Sequence, residues 1–206
     1  MDWGNIGSII VALTVAIGVP LALKKRKKAG PLKLEELYQH LQTIGVEASP
    51  PEKESNKAKI GLSRASGQKS GGIIELKDKN IDCINIVSVA SQYGVNYFLD
   101  YLVQSPNIVG NRTLKKTKLV KKKSSPIGGK VIGIGWKGEQ SLAQSLSLDY
   151  RLEEKLLSGD LNALKEGIKI FPEPKHGYVR IRTSYILPSR QLFDAVSIVA
   201  RHIKLY

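Results

Sequence analysis

Three glycines are the first residues whose spacing suggests chemistry. Gly133, Gly135 and Gly138 spell G-x-G-x-x-G between a β-rich run and a helical one. Backbone amides in that context hold a pyrophosphate at a helix start, so the three are candidate nucleotide-binding residues. Trp136 and Lys137 put bulk into the turn. Only residues 139–206 follow, too few for a doubly wound sheet. The next apolar run, Ile168–Phe171, ends at Pro172 without a carboxylate for a ribose. The bland alternative is a glycine-rich strand end packed closely on a helix.

The second candidate is electrostatic. Lys115, Lys116, Lys118, Lys121, Lys122 and Lys123 crowd one stretch, and between Tyr101 and Gly138 there are nine basic residues and no acidic one. Such a cluster suits an anionic partner, acidic lipid ahead of nucleic acid. Nucleic-acid modules set aromatics beside their charges, and none flanks this stretch. Further on, Tyr178, Arg180 and Arg182 alternate on one face of a strand, just after Lys175 and His176. Arg180 and Arg182 are therefore candidate anion ligands. A solvated loop and a solvated strand face are the plainer readings of both features.

Catalytic chemistry finds little support. Glu153 and Glu154 are adjacent and diverge on a helix; Asp149 and Glu153 sit one turn apart, the usual spacing of a solvated face. No serine occupies a nucleophile elbow. Cys83, the single cysteine, lies in an apolar run without a neighbouring histidine, and it excludes an internal disulfide. His40, His176 and His202 are too scattered to spell a metal site. No catalytic residue, metal or cofactor is expected, and the chain reads as non-enzymatic.

The elements that must position these residues begin with an anchor. Ile6–Leu23 carries no charge and is followed by Lys24, Lys25, Arg26, Lys27 and Lys28. Eighteen helical residues rise about 27 Å, close to the thickness of a bilayer core. The basic block after the apolar run predicts a single-pass transmembrane helix, N-terminus outside and the remainder in the cytoplasm. Residues 1–28 are thus the anchor and its stop-transfer block. Residues 29–45 read as a juxtamembrane amphipathic helix, with Leu34, Leu37, Tyr38 and Leu41 on one stripe facing lipid, the domain or a second copy. Residues 46–72, rich in Pro, Ser, Gly, Lys and Glu, read as a flexible linker.

Residues 73–206 read as an α+β domain. Strands are expected at 73–76, 81–89, 95–103, 130–136, 168–171 and 178–187, with an edge strand at Lys118–Lys122. Helices are expected at 139–157, broken near Leu148–Asp149, and after Pro188, where Ser189 caps the last one. That order predicts a mixed or antiparallel sheet with helices on one face. The net charge of +14 extends the basic character to the whole chain. The functional expectation is an interaction module or accessory subunit of a membrane assembly, partnered by the bilayer and by another protein or its own copies. An anion-binding role is the alternative, and a nucleotide-binding enzyme the second.

Overall fold

The computed structural model describes residues 32–63, 66–125, 131–159, 161 and 163–205. The expected anchor, Ile6–Leu23, lies outside the described residues. Among those described, no helix is long and apolar enough to cross a membrane.

Seven strands form one sheet. They are β1 (Gln68–Glu75), β2 (Cys83–Ser91), β3 (Gly94–Gln104), β4 (Thr117–Lys123), β5 (Val131–Lys137), β6 (Lys169–Glu173) and β7 (Tyr178–Ser184). The spatial order is β1-β2-β3-β7-β6-β4-β5, and every pairing is antiparallel. Four helices are described: α1 at residues 32–43, α2 (Gln140–Leu148), α3 (Tyr150–Ser158) and α4 (Arg190–Leu205). The fold is α+β, as the element order implied.

Alternation along the strands decides which face the helices take. Leu99, Tyr101 and Val103 of β3 line up with Ile84 and Ile86 of β2 and with Val179 and Ile181 of β7. These residues share one core with Leu37 and Leu41 of α1, Leu142 and Leu146 of α2, Leu152 and Leu156 of α3, and Val196, Val199 and Ile203 of α4. The opposite face carries Phe98, Asp100, Arg180, Arg182, Lys169 and Phe171. The break between α2 and α3 falls at Asp149, whose carboxylate accepts from the amides of Arg151 and Leu152, both at 3.1 Å. Ser189 Oγ accepts from Leu192 N at 3.2 Å and starts α4.

Two local expectations change. The lysine strand is not an edge: β4 lies between β6 and β5, and β5 is the edge. Its contact with β6 is brief, Thr117 opposite Ile170 and Lys118 opposite Lys169, so the later lysines pair with β5 alone. The segment 46–63 is not a bare connector. Ala48 bridges to Leu76 and Glu52 to Ile73, while Ala58 and Ile60 are buried. Ile60 packs with Cys83, Leu102 and Tyr178, and Asn85 Nδ2 donates to Ala58 O at 2.9 Å. A few well-placed apolar residues suffice to seat a polar segment, because its backbone groups find partners on the sheet. The amphipathic stripe of α1 likewise packs on its own domain, with Leu34, Leu37 and Leu41 buried.

Candidate anion-binding face

The antiparallel register sets four cations in a line. Lys137 of β5 lies opposite Lys118 of β4, Lys118 opposite Lys169 of β6, and Lys169 opposite Arg182 of β7. Neighbouring strands are about 4.8 Å apart, so this rung spans roughly 14 Å across the open face. Arg182 in turn lies opposite Asp100 of β3. Like charges placed directly opposite each other destabilise a sheet. Within the rung Lys169 has Glu166 as a counter-ion and Arg182 has Asp100, while among the described residues no ion pair is found for Lys118 or Lys137.

The Arg182 end of the rung is rigid. Asp100, fully buried, accepts from Arg182 Nε at 2.6 Å and from Arg182 Nη2 at 2.7 Å. It also accepts from Arg180 Nη1 at 2.9 Å, while Glu173 takes the other side of Arg180 at 2.6 and 2.8 Å. Burial works against the Arg180 charge, but Asp100 and Glu173 outweigh it and raise its pKa. Two carboxylates thus neutralise two guanidiniums, which is what allows them to be buried. Gly61 closes over this pair with φ of 67°, and a Cβ there would meet Arg180 Nε at 2.0 Å.

Aromatic rings complete the layer. The Arg182 guanidinium lies 5.3 Å from the Phe98 ring centroid and 5.6 Å from that of Phe171. Arg180 and the Lys116 ammonium also face Phe171, at 4.9 and 4.5 Å. Burial, followed by the charges of Lys169 and Lys118, holds the Lys116 pKa below its ordinary value. Four strands therefore deliver a cationic cluster interleaved with aromatic rings. Sequence reasoning missed this because Phe98 and Phe171 lie far from the lysines in the chain; strand order alone brings them together.

The sequence candidates divide accordingly. Lys116, Lys118 and Arg182 belong to the cluster, and Arg180 supports it from beneath Gly61. Lys121 turns the other way: its ammonium donates to Leu161 O at 2.6 Å and to Leu164 O at 3.1 Å. Burial and Lys123 lower its pKa, and its role is to hold the 161–164 backbone. The backbone of Lys115 donates to Glu139 Oε2 at 2.9 Å. Lys122 and Lys123 are exposed at the far end of β4, Lys122 opposite Gly133. Gly133 and Gly135 sit inside β5 and make no turn. Gly138 follows with φ of 142°, where a Cβ would lie 2.2 Å from Lys116 O. Its need is steric, a close crossing of β4 by the chain entering α2. β5 runs through Gly138 into α2, but it is an antiparallel edge strand and not part of the parallel βαβ unit in which a dinucleotide fingerprint sits.

A cleft opens at the end of β6. It has a volume of about 720 Å³, and Lys59, Arg112, Lys175 and His176 line it together with Glu173, which is already engaged by Arg180.

One polar chain deserves a chemical test. Ser145 Oγ and His202 Nδ1 are 2.6 Å apart, and His202 Nε2 is 2.9 Å from Asp149 Oδ2. The three residue types match a hydrolase triad. Ser145, however, lies within α2, where neighbouring amides are taken up by helical hydrogen bonds and none faces a would-be oxyanion. The chain ties α2, α3 and α4 together. Burial pushes the Cys83 thiol up to about 12, so it is no nucleophile at neutral pH. Among the described residues, no group of His, Cys, Asp or Glu is arranged to hold a metal ion.

Compared with known protein families, curated proteins and solved structures, the chain matches none.

Proposed function

We propose that this chain is a membrane-tethered, non-enzymatic module that binds phosphate-bearing anions on the open face of its sheet. The observation that carries the reading is the rung Lys137–Lys118–Lys169–Arg182, drawn from four strands. Such a row costs stability, and an anion lying across it would offset that cost. The tether rests on the uncharged run Ile6–Leu23, and the five cations after it support a cytoplasmic side for the domain. Exposed Leu148 and Tyr150, 76% and 69% accessible at the α2–α3 joint, favour an additional protein contact.

The test uses the full chain in zwitterionic detergent with a fluorescent inorganic polyphosphate. Wild-type protein binds in a salt-dependent manner, and the Lys118→Gln/Lys169→Gln variant binds about tenfold more weakly or worse. Affinity indifferent to salt and to both substitutions would refute the proposal.

A further inference from the structure

We infer that the anion is a single-stranded nucleic acid. Its phosphates follow the cationic rung, its bases stack on the Phe98–Arg182–Phe171 layer, and the strand continues into the cleft lined by Lys59, Arg112, Lys175 and His176. The inference rests on the anion-binding reading above and narrows it.

Three features point this way. The first is the pair of half-buried rings, Phe98 and Phe171. Asp100 grips Arg182 through two hydrogen bonds and holds its guanidinium close to both rings, 5.3 and 5.6 Å from their centroids. Rings and guanidinium planes are the surfaces on which unpaired bases stack, and a lipid headgroup has no use for them. The second is length. The rung covers roughly 14 Å, and from Lys169 to Glu173 the strand β6 runs about 13 Å further to the cleft. A track of that extent exceeds a single headgroup and fits a chain of phosphates. The third is relief. The cleft is recessed, and its three cations, Lys59, Arg112 and Lys175, outnumber the one carboxylate, Glu173, already neutralised by Arg180. A planar bilayer surface does not follow such a path, and a rigid duplex keeps its base faces stacked inside. A flexible single strand satisfies both demands.

The experiment compares full-length protein in nanodiscs of neutral phosphatidylcholine. Probes are a labelled twenty-nucleotide oligothymidine, a duplex of equal length and, for lipid, liposomes containing phosphatidylserine. The basic block at Lys24–Lys28 is common to all variants, so differences report on the sheet face. The single strand binds more tightly than the duplex. Phe171→Leu weakens single-strand binding by roughly five- to a hundredfold while leaving the salt slope unchanged, because stacking rather than charge is lost. Phe171→Tyr, which keeps the ring, retains binding and shows that the loss is not misfolding. Arg112→Gln/Lys175→Gln flattens the slope of log affinity against log salt by about 0.7 for each phosphate contact removed. Duplex binding equal to or tighter than single-strand binding would overturn the inference. So would Phe171→Leu binding like wild type. Binding confined to anionic liposomes overturns it too, yet leaves the anion-binding reading standing; binding to none of the anions ends both.

Discussion

Neutralising Lys118 should make the fold more stable. Its neighbours in register are Lys137 on one side and Lys169 on the other. Each directly opposed like-charge pair costs about 0.2–1 kcal/mol. Glu166 partly cancels the Lys169 charge, so the two pairs do not count equally, and a net gain of about 0.5 kcal/mol follows for Lys118→Gln. For a domain of this size each kcal/mol moves Tm by roughly 2–4 °C, so the expected rise is about 1–2 °C. Salt supplies the control. At 0.5 M ionic strength the screening length falls to roughly 4 Å, less than one strand spacing, and the gain should shrink toward zero. Urea unfolding of wild type and Lys118→Gln at low and high salt measures both quantities. The same substitution weakens polyphosphate binding, so stability and affinity move in opposite directions. Equal or lower stability for Lys118→Gln at low salt would refute the view that the rung is held together at a cost.

Other expectations follow from individual contacts. Asp100→Asn leaves two nearly buried guanidiniums with only Glu173 between them, and should cost about 3–5 kcal/mol in chemical denaturation. Asp149→Ala should cost about 1 kcal/mol near neutral pH through the α3 cap, whereas Asp149→Asn keeps a capping side chain and loses only the charge. Burial opposes the Asp149 charge, but the His202 contact and the Leu152 and Arg151 amides prevail and lower its pKa. That part of the stability is present above the unfolded-state pKa and is lost as pH falls through the folded one. The wild-type advantage over Asp149→Asn should therefore shrink below about pH 4 in urea titrations. Gly138→Ala, at a φ of 142° and against Lys116 O, should lose about 1–3 kcal/mol in thermal or urea melts. In native protein, Cys83 should react with a thiol reagent only as fast as the domain opens, as measured by absorbance with and without denaturant.

Much of the architecture was legible from local pattern. The β2–β3 hairpin follows from the alternation of Val95 to Val103, and the α2–α3 break from Asp149, because period and caps are local signals. The glycine triplet left two readings open because G-x-G-x-x-G specifies small residues without specifying strand direction. Gly133 and Gly135 serve an antiparallel edge, Gly138 a backbone crossing. The lysine stretch held some members of the cationic cluster and not others. Lys121 is spent on carbonyls, whereas Lys137 and Lys169 come from other strands. Phe98 and Phe171 gave no signal, since only the order β3-β7-β6-β4 sets Phe98 beside Arg182 and Phe171 beside Arg182 and Lys116. The polar stretch 46–63 looked like a linker because composition averages over Ala58 and Ile60, the two residues that seat it.

The docking of α1 changes how far the domain can stray from its proposed anchor. Were everything from Lys24 to Gly72 loose, the leash would be 49 residues long, able to stretch to about 170 Å. With Leu34, Leu37 and Leu41 sunk in the core, only residues 24–31 remain between the apolar run and the folded body. Eight residues reach at most about 29 Å, less than the width of the domain itself. If Ile6–Leu23 is the anchor, the domain is confined to a thin shell beside the bilayer rather than a deep hemisphere.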